Sequence, residues 1–192
     1  MVMIRHERMS DIAARDFLLD RCFGKARTAV TSERLREGRL PAEGLSFTAT
    51  EHGRVVGTVR LWHVSAGPRR PALLLGPLAV DADCRNRGVG AALMERAIAE
   101  ARRRGHREII LVGDAPYYAR FGFSAAHAGK LALPGPYEPH RLLGLALRPD
   151  AAAAPTGLVR PTGAPAPQFA VADMAAVDRK RAGKQIRLPR AA

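Results

Sequence analysis

Apolar residues follow two different periods along this chain. From Leu45 the period is two: Leu45, Phe47 and Ala49 alternate with polar neighbours, and after a turn at His52-Gly53-Arg54 the run Val55 to Trp62 resumes. That pattern predicts a β-hairpin. A loop at Gly67 to Pro71 leads to Leu73-Leu74-Leu75 and Leu78-Ala79-Val80, an unbroken apolar stretch expected of a central strand covered on both faces. Gly76-Pro77 interrupts it, and because proline has no amide hydrogen for a neighbouring strand, the sheet is predicted to open there. The period then changes to that of a helix, with Val89, Leu93, Met94, Ala97, Ile98 and Ala101 on one stripe. This helix opens at Gly88-Val89-Gly90 and closes on Arg102, Arg103 and Arg104, whose charges suit its carbonyl end, with Gly105 as cap. Glu108 to Val112 follows as a second apolar run. Joined to the Leu73 strand through a helix, it is expected to lie parallel to it.

The remaining elements are shorter. Met3 to Arg8 reads as an edge strand. Asp11 to Phe23 reads as a helix capped by Ser10, ended by Gly24, with Ile12, Phe17, Leu18 and Phe23 inward. Thr31 to Leu35 suggests a brief helix stopped by Gly38 and Pro41. A short helix from Pro116 to Phe121, a strand within Ala125 to Leu133, a Pro134-Gly135-Pro136 break and a last strand, His140 to Leu147, complete the pattern. From Pro149 onward the composition turns to Ala, Pro and Gly without a sustained period and ends in a basic run from Arg179 to Arg190. The expectation is one α/β (α+β) domain over residues 1–148, a mixed, mostly antiparallel sheet flanked by helices, followed by a flexible basic tail over 149–192.

Composition narrows the classes. The chain has 192 residues, 47% of them hydrophobic, enough for one domain with its own core. No run approaches the ~20 apolar residues of a membrane helix, and the charged start MVMIRHERMSDIAARD is unlike a signal peptide, so a cytoplasmic protein is expected. Cys22 and Cys84 are too few for a disulfide framework, lack metal-ligand spacing and read as reduced thiols; no metal is expected. The 31 Lys and Arg against 18 Asp and Glu give a net charge of +13, which attracts polyanions: nucleic acid, an anionic surface or a highly charged cofactor. The basic tail lacks the interleaved aromatic residues with which single-strand binders stack bases.

The start of the long helix is the candidate anion site. The first turn of a helix leaves amide hydrogens unpaired and carries about half a positive charge. Gly88 and Gly90 let a phosphate approach the backbone, and Arg85 and Arg87 add planar charged donors. A Walker loop would need Gly-Lys-Ser/Thr, and a dinucleotide fingerprint would need Gly or Ala where Leu93 stands. What fits is Arg85-x-x-Gly88-x-Gly90, which resembles the acyl-CoA pyrophosphate loop of the GNAT superfamily of N-acetyltransferases. A second landmark agrees: Tyr117-Tyr118-Ala119-Arg120-Phe121-Gly122-Phe123 resembles the family's aromatic-Tyr pair followed by Gly-Phe. The runs Leu75 to Val80 and Val112 to Tyr118 are also similar to a bacterial subgroup, the YhbS-like predicted N-acetyltransferases. The resemblance spans residues 3–147.

The resemblance implies an acetyl-CoA-dependent N-acetyltransferase that works by direct attack of an amine in a ternary complex, with splayed parallel strands at the centre of the sheet. It implies that backbone groups of Leu78, Ala79 and Val80 bond the pantetheine arm. The Leu78 amide becomes the oxyanion donor, and the loop Arg85, Asn86, Arg87, Gly88, Val89, Gly90 and Ala91 holds the pyrophosphate. Tyr118, beside the sulfur, becomes the acid: a phenol, of ordinary pKa about 10, is protonated at neutral pH and can protonate a departing thiolate. The strand glutamate that many relatives use as base is replaced here by Leu73, Leu74 and Leu75. Asp114 and Glu51 are carboxylates near strand ends, and each reads as structural or solvated, as does His63. Cys84 is not a proposed nucleophile. A non-catalytic acyl-CoA sensor and a basic nucleic-acid-binding protein stay open as alternatives, as does a homodimer. The acceptor is expected to meet the segments 24–41 and 125–140.

Overall fold

The computed structural model describes residues 1–151 and 153–167. In chain order it contains β1 (Met3–His6), α1 (Ile12–Phe23), α2 (Thr31–Arg34), β2 (Ser46–Glu51), β3 (Arg54–Ala66), β4 (Pro71–Val80), α3 (Val89–Arg103), β5 (Glu108–Val112), α4 (Ala115–Ala119), α5 (Ala125–Ala128), β6 (Lys130–Ala132), β7 (Leu142–Ala146) and β8 (Thr156–Pro161). The strands form one sheet in the order β1-β2-β3-β4-β5-β7, with β8 against β3 and β6 beyond it. Only β4 with β5 and β6 with β8 run parallel; the other pairs are antiparallel.

The alternation read from the sequence decides which layer each residue joins. Leu73 and Leu75 of β4 and Ile109 and Leu111 of β5 pack on the α3 side, where Val89, Leu93, Met94, Ala97, Ile98 and Ala101 are all buried. Leu74 and Ile110 point the other way, into a second cluster with Leu35, Trp62, Leu131 and Leu142. Burial of this kind contributes about 25 cal/mol per Å² of apolar surface, so the paired faces hold β4 and β5 at the centre of the molecule.

Gly76-Pro77 produces the opening, by a route more specific than the sequence suggests. On one side β4 stays paired with β3: Leu75 faces Leu61 and Leu78 faces Val59, and the residues between them bulge outward. The indole N–H of Trp62 donates to the Gly76 carbonyl at 2.7 Å, which satisfies the acceptor the bulge releases. On the other side the ladder with β5 consists of Leu73 with Ile109 and Leu74 with Ile110. From Leu75 onward the two parallel strands part.

Several expectations are corrected. Phe17 and Phe23 are exposed, at 65% and 49%, because α1 rests on the sheet through Leu18 and Leu19 against Val55 and Ala79. Arg15 is buried beside them, held by Glu7 at 2.7 Å and Asp16 at 2.9 Å, so a paired cation takes a position an apolar stripe would assign to a hydrophobe. Ser10 is not the cap; the helix begins after Asp11, whose carboxylate accepts from Arg5 and from the Arg8 amide. The strand expected within Ala125 to Leu133 is Lys130–Ala132, and the residues before it, Ala125–Ala128, form a helical turn in which the Ser124 hydroxyl accepts from the His127 amide. The last expected strand begins only at Leu142, after a 3-10 turn at Pro139–Arg141.

The domain does not end at residue 148. Thr156–Pro161 adds a strand to the edge of β3 beyond the end of β2, with Val159 fully buried. Arg70 ties this segment down: it pairs in a fork with Glu108 at 2.7 and 2.9 Å and donates to the carbonyls of Ala151 and Ala153. These bonds go to backbone, so an Ala-rich stretch without periodicity gives no sign of them. The basic run 179–190 lies outside the described residues.

Candidate active site

The site grows from the loop between β4 and α3. Asp81 turns the chain by accepting from the Asp83 amide at 3.2 Å through its side chain and from Cys84 at 2.9 Å through its carbonyl. Asn86 and Gly88 then adopt left-handed backbone, φ 57° and 77°, which asparagine tolerates and glycine takes without cost. The first hydrogen bond of α3 runs from the Ala92 amide to the Gly88 carbonyl. Among the described residues, the amides of Asn86 to Ala91 donate to no protein acceptor, and no side chain caps the helix. Asn86 and Gly88 to Ala91 border a cavity of about 580 Å³ shared with Arg85, Val80, Tyr117 and Arg120. At Gly90 a Cβ would stand 2.8 Å from the Tyr117 hydroxyl, so glycine is what lets the aromatic pair close over the helix start.

A narrower space of about 200 Å³ leads from there along Leu78, Ala79 and Val80. Sharing Leu78 and Tyr117 with it is an inner cavity of about 590 Å³ where β4 and β5 separate, walled by Leu75 to Leu78 on one side and Val112 to Asp114 on the other. An outer cavity of about 260 Å³ continues it, sharing Val30, Ser32, Val112 and Arg141. Val30, Thr31, Ser32 and Arg34 line this outer part with Leu133, Pro136, Tyr137 and Glu138, so both segments expected to meet an acceptor border one cavity.

Tyr118 lines the inner cavity. A Cβ on Gly113 would fall 2.2 Å from its ring, so the glycine at the end of β5 makes its place. Tyr117 meets it edge-on at 4.9 Å. Among the described residues its hydroxyl has no hydrogen-bond partner. Burial, then the neighbouring Tyr117 and Asp114, push its pKa up to about 12 against the opposing charge of Arg141, so it holds its proton throughout the physiological range.

One expected side chain is placed elsewhere. The Arg87 guanidinium forms a fork with Glu51 at 2.6 and 3.1 Å and does not line the cavity, although its amide does belong to the unpaired series. Glu51 is thereby a structural carboxylate: the Arg87 hydrogen bonds hold it below its ordinary pKa, which suits an ion pair and not a base. Asp114 borders the inner cavity. The sequence assigns no role to Arg120, which caps α4 beside the free amides, or to Arg27, Arg36 and Arg141 around the inner cavity, which short turns without periodicity bring there.

A run of unpaired amides at a helix start, joined to a gap between parallel strands, is where comparison with known proteins decides. The acetyltransferase (GNAT) family profile matches residues 8–123. The chain belongs to this family, and with it to the N-acetyltransferases. It is 32% identical over 164 residues to the uncharacterized N-acetyltransferase YhbS of Escherichia coli K12, covering 82% of this chain and 95% of that one. The crystal structure of E. coli YhbS in complex with CoA matches with a TM-score of 0.71 at 30% identity, over 84% of this chain and 89% of that one. A GNAT family acetyltransferase from Brucella melitensis in complex with acetyl-CoA matches with a TM-score of 0.65 at 27% identity, over 84% and 96%. Among the described residues no helix is long and apolar enough to cross a membrane.

Proposed function

We propose that the protein transfers an acetyl group from acetyl-CoA to an amine by direct attack in a ternary complex. The observation that carries this reading is the adjacency of the site's parts: unpaired amides at the start of α3, the half-buried end of β4, and a protonated tyrosine in the gap between β4 and β5 line neighbouring cavities that share Val80, Leu78 and Tyr117. Solved relatives that hold CoA or acetyl-CoA support it.

On this reading the diphosphate meets the amides of Arg87 to Ala91, the positive end of α3 and the side chains of Arg85 and Arg120. Asn86 and Gly88 set the turn that aims those amides, and Val89 anchors the first helical turn in the core. Arg87 acts through its amide alone, its side chain fixing the loop against Glu51. The pantetheine arm follows the backbone of Leu78, Ala79 and Val80 and brings the thioester into the inner cavity. The amine nitrogen attacks the thioester carbonyl carbon; the Leu78 amide supports the oxyanion; the C–S bond breaks and Tyr118 returns a proton to sulfur. The proton lost by the amine leaves through the open cavity, where Asp114 is the bordering carboxylate.

Tyr118→Phe keeps the ring in the Gly113 niche and removes the acid. With acetyl-CoA and a turned-over amine, kcat should fall on the order of 10²-fold or more while the Kd for acetyl-CoA, measured by calorimetry, stays within about twofold. An unchanged kcat would remove Tyr118 from the mechanism.

A further inference from the structure

The channel beyond the thioester position is lined by charge of one prevailing sign. Arg27, Arg34, Arg36 and Arg141 face the inner and outer cavities against two carboxylates, Asp114 and Glu138. Arg27 is occupied by Asp20 at 2.8 Å, and Glu138 approaches Arg141 only to 3.8 Å. Among the described residues Arg34 forms no ion pair.

Arg36 stands apart. It is 7% exposed and lies against the Gly76 turn, where a Cβ would meet its Nη1 at 3.3 Å, on the wall facing the separated strands. Its Nη2 donates to the Ser32 hydroxyl at 3.2 Å and pairs with Glu33 at 2.9 Å, while its Nε has no acceptor. Arg15, the other deeply buried arginine, has two carboxylates on its guanidinium. A buried cation with one carboxylate and an unpaired Nε pays for desolvation without full compensation, and the structure keeps Arg36 in that state at the edge of a cavity.

Building on the acetyltransferase reading, we propose that the acceptor is a small amine that also carries an anionic group, a carboxylate or a phosphate, and that this group docks on Arg36. The planar guanidinium fork matches both anions. Arg36 sits on the α2 side of the channel, and Asp114 at the end of β5, on the wall where the Gly113 amide donates to the Arg141 carbonyl at 2.9 Å. A doubly charged acceptor therefore lies with its anion toward Arg36 and its amine toward Asp114 and the gap between β4 and β5. The channel's size suits a metabolite-sized molecule.

The test uses the full chain, acetyl-CoA and matched pairs of amines followed by thiol release: amino acids against their carboxamides, and aminoalkyl phosphates against the corresponding amino alcohols. The anionic member of at least one pair should show kcat/KM at least tenfold higher, and which pair responds separates carboxylate from phosphate. Arg36→Gln should bring that ratio close to one, mostly through KM, with Arg36→Lys restoring part of it and the Kd for acetyl-CoA unchanged. The wild-type ratio needs no variant, so a misfolded Arg36→Gln leaves it decisive. Neutral amines used as well as anionic ones, or a panel with no substrate despite tight acetyl-CoA binding, would overturn the inference. Failure to bind acetyl-CoA would instead sink the acetyltransferase reading beneath it.

Discussion

At the scale of single residues, the position of Tyr118 depends on what is missing opposite it. The ring fits at the end of β5 because Gly113 has no Cβ; a methyl group there would overlap Cε2 at 2.2 Å. The backbone of Gly113 is otherwise ordinary, since its φ is not in the left-handed region, so the cost of a side chain is steric and local. Gly113→Ala should therefore displace the phenol from the inner cavity and lower kcat at least tenfold, with about 1–3 kcal/mol of lost stability from overpacking. Kinetics beside a thermal melt separate the two effects: a large stability loss with normal kcat would show that the ring's placement is not catalytic. The same logic explains Arg87, where a residue of suitable charge in a suitable loop turns to Glu51 because a carboxylate lies within reach.

Among the elements, β8 and the strand gap differ in how they are held. The gap is fixed by the Gly76-Pro77 bulge and the Trp62 indole, both local to β3 and β4. Strand β8 depends on a distant residue: Arg70 joins the fully buried Glu108 to the carbonyls of Ala151 and Ala153, and His127 completes the carboxylate's shell at 3.2 Å. Arg70→Met would leave a buried carboxylate without its main partner, a loss of about 3–5 kcal/mol. A chain ended at Arg148 would bare the edge of β3 and the niche that Val159 fills. Each should melt well below a chain ended at Pro167 in calorimetry; equal melting temperatures would show that residues 149–167 add nothing to the domain.

For the molecule as a whole, acid is the condition that tests its ion pairs. Asp11, held by Arg5, the Arg8 amide and Thr48, has its pKa lowered from 3.8 to about 2, and Glu100, held by Arg103 and Arg104, is also lowered to about 2. A carboxylate with a depressed folded pKa stabilises the fold above its unfolded value and loses that contribution as pH falls through the folded one. The Asp11 and Glu100 contributions to stability, measured by denaturant, should thus be lost as pH falls from about 5 toward 2, with Asp11 accounting for about 1–2 kcal/mol of the loss. In Asp11→Asn the decline should be shallower; an identical pH profile would show that the Arg5 pair is not coupled to folding.

Short-range rules govern everything that can be read from the chain alone. The β3–β4 ladder, the α3 stripe, the break at Gly76-Pro77 and the free amides of a Gly-x-Gly helix start follow from period, proline chemistry and backbone hydrogen bonding between near neighbours. Tyr118 is legible only through the resemblance of Tyr117 to Phe123 to a family landmark. It takes the folded arrangement to establish that Arg87 faces Glu51, that Phe17 and Phe23 lie outside while Arg15 lies inside, that an Ala-rich segment joins the sheet, and that Arg36 is buried against the Gly76 turn. Those outcomes rest on which charges and carbonyls meet across tens of residues, and a partner's position in space leaves no periodic trace in the chain.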